Sequence, residues 1–395
     1  MRKILSFVAV FLCAAACIYP YTPELEKAPE GILAVDGNIS IGEQSVVLLS
    51  ALYSLWSDDF TERQAGFSDA KVWVEDDAGG KYPGVPLDND ASGYSSGAYG
   101  TASFAVPTEN APADRRYRLC VDALGGFYAS DWSDIPEPPV IKDIEFSAND
   151  YDVVVNVSVD GGENGTGYLL LSYDETWEFH AEWYLYYTFN PGTRDILPAT
   201  PDDYDEYWCW KSDDSGRTYP IDYTGMTENG IYAYPLLSFS RYDNRNHRRY
   251  SVNVKARTIS PASYRFLKNL ESNTEGGDNL FTPNPGEIAG NLRCESDPER
   301  TVLGYVVVSR AAEKRAFLDS RFLRARRPNE FTLMYLLEDR YLDFWEEGYK
   351  PLYENTNPDR NPELEGPYGW GGPSCYDCRA SGGTKTKPDF WDDPE

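Results

Sequence analysis

Histidine is almost absent: His180 and His247 are the only two in 395 residues. So sparse a supply leaves little room for a multi-histidine metal centre or a histidine-based proton relay. Positive charge is also short, with 36 Lys and Arg against 64 Asp and Glu and a formal net charge of −28. A surface this acidic repels the phosphate backbone, which argues against nucleic acid as a partner. It also lacks the basic face that adheres to anionic lipid. Beyond the N-terminal segment no apolar run approaches the ~18 residues of a membrane-spanning helix. No Gly-rich phosphate loop, nucleophile elbow or HExxH motif occurs, and no repeat at a fixed period. What is abundant is Pro (27), Gly (32), Tyr (30) and Trp (10), the composition of a β-rich, loop-rich chain. A hydrophobic content of 41% supplies real cores, and the length suits two or three domains.

The N-terminus indicates where the chain is expected to reside. Met1-Arg2-Lys3 is a cationic start, Ile4 to Ala16 is an apolar run, and Ala14-Ala15-Ala16 precede Cys17. A basic start, a short apolar core and small residues at the cut describe a secretory signal rather than a span. The cysteine just after the small residues looks like a bacterial lipobox, with residues 1–16 removed and Cys17 acylated. A plain signal with Cys17 as an ordinary thiol is the alternative. Residues 17–30, with three prolines and no periodicity, read as anchor and stiff tether.

From Ile32 the chain alternates. ILAVDGNIS reads as a strand turning at Asp36-Gly37, followed by SVVLLSALYSL, AKVWVEDDAGGKY, SFAV, RRYRLCVDA and GFYASDW. Pro136-Glu137-Pro138-Pro139 cannot hold a sheet ladder and marks a boundary between a first part, 31–137, and a second, 138–395. In the second part VIKDIEFSA, YDVVVNVSVD, TGYLLLSYDETW, WYLYYTF, GIYAYPLLSFS, RRYSVNVKART and GYVVVSR have strand character. Ser260-Pro261 opens a helix with Tyr264, Leu267 and Leu270 on one face, and an amphipathic helix is expected from Glu330 to about Glu347. The last forty-five residues read as an ordered tail wrapping the surface. The predicted fold is mainly β: two antiparallel, Ig-like β-sandwich parts with a few short helices.

Beyond Cys17 remain Cys120, Cys209, Cys294, Cys375 and Cys378, enough for two bridges with one thiol left over. Cys120, inside a strand, is the expected spare. The other four are candidates for two disulfides pinning the tail to the second part, Cys209 to Cys378 among the possible pairings. Cys375-Tyr376-Asp377-Cys378 has half of a zinc-knuckle spacing, but its other half would come from the isolated Cys209 and Cys294. Thioredoxin-like redox chemistry needs a helix starting at the CxxC, and Arg379 to Thr384 is a poor helix. Asp88, Asp90, Ser92 and Gly93 resemble half a calcium loop whose twelfth position is Tyr99 rather than Glu. Asp202, Asp203, Asp205 and Glu206, running into Tyr207 and Trp208, either form a solvated loop or present acids beside rings to a sugar. His180 reads as a hydrogen-bonded strand histidine. No catalytic constellation, metal site or cofactor is expected.

Several phrases together resemble one bacterial lipoprotein family, the domain of unknown function 4249. They are ILAVDGNIS shortly after the lipobox, AKVWVEDDAGG with YRLCVDALGGFYAS, and DETW with Cys209-Trp210. YSVNVKARTISPASYRFLKNLES, LFTPNPGEIAGNL, VLGYVVVS and the ending CYDCRASGGTKTKPDFW complete the set. Cys120, although it falls within one of these phrases, is not among the cysteines associated with the family, a departure from its pattern. The resemblance implies an outer-membrane or cell-surface lipoprotein of the Bacteroidota, often encoded beside a TonB-dependent transporter. The expected function is therefore a non-catalytic accessory or binding protein partnered with such a transporter in nutrient capture. Tyr204, Tyr207, Trp208 and Trp210 in one loop and Tyr368 and Trp370 in another are the candidate contacts, because aromatic rings give large contact area at low entropy cost. A surface hydrolase acting on glycans or peptides is the alternative, and it requires converging acids that no spacing here displays.

Overall fold

A computed structural model describes residues 32–52, 67, 69–87, 101–201, 206–275, 290–319, 333–356 and 366–391. The first part contributes β1 (Ile32–Ser40), β2 (Ser45–Leu52), β3 (Lys71–Asp76), β4 (Lys81–Pro83), β5 (Val85–Pro86), β6 (Thr101–Val106), β7 (Tyr117–Ala123) and β8 (Gly126–Ser130). Their side chains alternate between a shared core and the outside, the period that a two-layer sheet protein requires. β1 runs unbroken through Asp36-Gly37, where a turn was expected. Gly37 instead lies in the ladder opposite Val47, and a Cβ there would stand 3.3 Å from Leu119 Cδ2, so its glycine serves close packing.

The second part contributes β9 (Val140–Ala148), β10 (Asp152–Asp160), β11 (Tyr168–His180), β12 (Tyr187–Asn190), β13 (Asp195–Pro198), β14 (Trp208–Asp214), β15 (Tyr219–Asp222), β16 (Gly230–Ser240) and β17 (Arg249–Thr258). Only the end of the aromatic run WYLYYTF is strand, paired as the hairpin β12–β13. Helix α1 (Pro261–Glu275) follows, and Ser260 Oγ accepts a hydrogen bond from Ser263 N at 3.1 Å. Tyr264 and Leu267 pack inward as expected, whereas Leu270 is exposed. After it come β18 (Leu292–Cys294), β19 (Val302–Ser309) and β20 (Ala311–Asp319). The C-terminal region adds β21 (Met334–Leu336), α2 (Tyr341–Glu346), β22 (Lys350–Glu354), β23 (Tyr368–Gly371) and α3 (Pro373–Tyr376). The long helix expected over 330–347 is therefore, in its described portion, a short strand and a short helix.

Two five-stranded sheets, β19-β1-β2-β6-β5 and β18-β8-β7-β3-β4, face each other across a core of Leu33, Val47, Val72, Leu119, Val306 and their neighbours. A second sandwich sets β16-β10-β9 against β14-β11-β17-β20, with β15 also on β11. Val153, Val155, Val157 and Val159 from one sheet meet Leu169, Leu171, Val252 and Val254 from the other. Each such fully buried side chain contributes about 1.5–3 kcal/mol. The chain does not divide cleanly at 137/138. β19 pairs in parallel with β1 and β18 pairs with β8, so residues 292–294 and 302–309 complete the first sandwich although the second part was drawn to contain them. The reason is edge closure: β1 and β8 each carry a ladder face that β2 and β7 leave open. Gly304, at φ +117°, permits the crossing, because a Cβ there would lie 1.8 Å from Val35 O. Helix α1 joins the sandwiches, with Tyr264 stacked on Tyr168 at 4.6 Å and Phe266 on Tyr305 at 4.8 Å.

The C-terminal tail wraps the second sandwich. Trp210 and Thr384 exchange backbone hydrogen bonds of 2.9 and 2.7 Å, and Trp391 is buried against Phe317. The disulfide Cys209–Cys378 closes this contact across 169 residues of sequence. Cys294 and Cys375 form no second bridge. Cys294 lies in the core of the first sandwich and Cys375 in a separate cluster with Leu185, Leu333 and Leu352. That dispersal also removes the four-thiolate zinc alternative. Cys120 is a buried thiol, pushed up to about 12 chiefly by burial.

Candidate functional site

The described members of the first aromatic loop converge at one end of β11 and β14. Strand alternation on β14 sends Cys209 into the core beside Phe179 and leaves Trp208 and Trp210 half-buried on the other face. The register places Trp208 opposite His180 and Trp210 opposite Glu178. His180 ends β11 with its Nδ1 2.6 Å from the Ala181 carbonyl oxygen, as a hydrogen-bonded strand histidine. Its ring stacks on Tyr207 at 4.8 Å and meets Trp208 edge-on at 5.0 Å. Tyr184 adds an edge contact to Tyr207 at 4.9 Å and another to Tyr186 at 5.2 Å, with Tyr186 63% exposed.

The other histidine completes this surface. The rings of His180 and His247 stack at 4.2 Å, and the His180 backbone N–H donates to His247 Nδ1 at 3.4 Å. The residues are 67 apart in sequence, and no local pattern announces the pairing. Arg248, the next residue, lies over Trp208 at 5.4 Å and pairs with the buried Glu178. The guanidinium thus neutralises a carboxylate that the sheet interior would otherwise leave costly. The arrangement is a wall of rings beside the Arg248 cation, stiffened from behind by the sheet. It can bury a partner's apolar side chains while offering hydrogen-bonding edges.

Glu206 fastens the base of the wall. Its carboxylate accepts from Lys350 at 2.9 Å and Arg379 at 2.8 Å, so it ties β14's approach to β22 and to the tail rather than standing in a solvated loop. Tyr204, Asp202, Asp203, Asp205, the calcium-like segment around Asp88 and the acylation candidate Cys17 lie outside the described residues.

In the second candidate loop Trp370 is not available as a contact. Trp370 is fully buried, with Phe189 at 5.7 Å and Tyr341 at 5.0 Å, and serves as the core of the small sheet β21-β23-β22. A tryptophan between glycines in a short strand supplies most of what that sheet can bury, which is why it turns inward. Tyr368 is half-buried against Tyr187 at 5.3 Å, and the Tyr187 hydroxyl donates to Glu354 at 2.9 Å. Neither residue joins the wall at Trp208. Among the described residues no group of three His, Cys, Asp or Glu side chains is placed to hold a metal, and no helix is long and apolar enough to cross a membrane.

Sequence comparison matches residues 18–315 to a family described as a domain of unknown function (DUF4249). The match stops short of the tail, so the C-terminal phrase CYDCRASGGTKTKPDFW lies outside it. No curated protein matches the chain. Among solved structures, a DUF4785 family protein from Legionella pneumophila is similar over 56% of this chain and 51% of its own, at 13% identity and a TM-score of 0.19. The aligned region spans about half the length of that protein, and a likeness this remote bears no further argument.

Proposed function

Because the chain belongs to the family of domain of unknown function 4249, we propose that it is a non-catalytic accessory lipoprotein of a Bacteroidota outer membrane. It is anchored through acylated Cys17 and docks on a TonB-dependent transporter in nutrient capture. Supporting the anchor, the family match starts at residue 18, immediately after the candidate lipid-bearing cysteine. The observation that carries the docking role is the wall of Tyr184, Tyr186, Tyr207, Trp208, His180 and His247. Such amphipathic rings on a braced sheet end make a recognition surface with little side-chain entropy left to lose.

The test is purification of the lipidated protein from its native outer membrane in mild detergent, with mass spectrometry of what accompanies it. A stoichiometric transporter, lost in Tyr186→Ser and weakened in Trp208→Ala, is the expected result. Recovery of the protein alone, under conditions in which other transporters keep their accessory proteins, overturns the reading.

A further inference from the structure

A separate, concave feature lies at the middle of β11, beside the junction of β14 and β15. From His180 back to Tyr173 the strand runs about 20 Å at the usual rise of 3.3 Å per residue. There the open edge of the second sandwich forms a cleft of about 480 Å³ lined by Tyr173, Tyr219, Arg217, Val154, Pro235 and Ser238. That volume takes one or two rings of a small ligand.

Its parts are held in place before anything binds. The rings of Tyr173 and Tyr219 stack at 6.1 Å with 18° between their planes. Arg217 lies over the Tyr219 ring at 5.0 Å, and its Nε donates to the Tyr219 hydroxyl at 3.3 Å. The turn carrying Arg217 is braced: Ser215 N donates to Tyr173 O at 2.9 Å, Ser215 Oγ to Arg217 O at 2.6 Å, and Gly216 N to Asp214 Oδ1 at 2.8 Å. Behind Tyr173, in the same inward row of β11, the buried carboxylate of Glu175 accepts from Arg245 and from the Tyr250 hydroxyl at 2.8 Å. Burial, and then the Tyr219 hydrogen bond, push the Tyr173 phenol upward, so it stays a neutral donor.

The opposite wall tells which ligand the cleft does not suit. β16 is an edge strand, yet its register on β10 shifts between Val155 and Asn156, and Pro235 stands opposite Asn156. A bulged edge with a proline cannot template an added strand, which excludes an extended peptide paired along it. The lining combines apolar surface (two tyrosine rings, Pro235, Val154, Leu236 and Leu237) with hydroxyls and one guanidinium. A pyranose ring has the same construction, with apolar C–H faces and a hydroxyl rim.

We propose that this cleft binds a neutral hexose unit of an oligosaccharide, the ring packed on Tyr219 and Tyr173 and its hydroxyls held by Arg217 and Ser238. The site is separate from the docking wall and does not depend on the transporter reading.

The test is calorimetric titration of the full chain with neutral gluco-, manno- and galacto-oligosaccharides, alongside uronic-acid oligosaccharides. The expected result is binding of at least one neutral series, indifferent to salt. Arg217→Gln should weaken it at least about tenfold, because it removes a hydrogen bond from a charged donor. Tyr219→Phe, which keeps the ring, should weaken it less. Arg217 is exposed, so its variant keeps the fold, and an unchanged melting temperature verifies this. No binding across the neutral panel at millimolar concentration, binding that survives Arg217→Gln intact, or preference for the uronic-acid series each overturns the proposal.

Discussion

Removal of the Cys209–Cys378 bridge is the perturbation whose consequence can be worked furthest. The bond closes 169 residues of chain, and the loop-entropy relation assigns such a closure about 5 kcal/mol of destabilisation of the unfolded state. Measured effects fall mostly at about 2–4 kcal/mol, and about 3 kcal/mol is the working figure. For a cooperative unit the size of the second sandwich, ~2–4 °C per kcal/mol converts this to a melting shift of roughly 6–12 °C. The double variant Cys209→Ala/Cys378→Ala removes the bond without leaving a new buried polar group. Cys375→Ala, which truncates a buried thiol outside the bridge, controls for lost packing. The tail keeps other attachments, namely the Trp210–Thr384 backbone pair, Arg379 on Glu206, and Lys385 Nζ donating to the Trp208 carbonyl at 2.6 Å. Loss should therefore appear first as tryptic cleavage at Arg379 and Lys385, ahead of global unfolding. Calorimetry and timed proteolysis read the two effects. A double variant that melts within about 2 °C of the parent, with a tail equally resistant to trypsin, would refute the reasoning.

Glu75 predicts a pH effect. Partial burial raises its carboxyl, but hydrogen bonds from Trp73, Lys81 and Arg118 outweigh this and hold it down at about 2. A folded-state value below the unfolded one means full stabilisation above about pH 4.5, lost as pH falls toward 2. Discounted for solvent screening the effect is on the order of 1 kcal/mol, and denaturation of Glu75→Gln should lack that acid-dependent part. At Gly304, φ +117° and the 1.8 Å approach of a Cβ to Val35 O predict that Gly304→Ala destabilises the first sandwich severely. The loss should be on the order of 3 kcal/mol or more. Gly42→Ala, at φ +95° with nothing within 4 Å, carries only backbone strain, and chemical denaturation midpoints should separate the two.

The mainly β fold was legible because alternation is a local property. ILAVDGNIS and YDVVVNVSVD each carry period-2 burial in their own residues, and both are strands. YSVNVKART alternates in polarity and is also a strand, but the sandwich buries it on both faces. The helix after Ser260 was legible for the same kind of reason, since its cap and first-turn proline are neighbours in sequence. The region 330–347 misled because spaced apolar residues do not reveal that Met334–Leu336 has a strand partner in Tyr368–Trp370. One member of the aromatic reading misled likewise: Trp208 and Trp370 both sit in short aromatic strands, but the small sheet turns Trp370 into its core.

By itself the sequence determined strand positions, an acidic surface poor in histidine, and cysteines available to pin a tail. Only the tertiary structure decided that residues 302–309 return to lie parallel to β1, that Cys209 takes Cys378 while Cys294 and Cys375 stay apart, and that two histidines stack at 4.2 Å. The division has one physical cause. Side-chain alternation follows from the backbone geometry of consecutive residues, whereas pairing between distant segments depends on which open edge and which unfilled core the rest of the chain leaves for them.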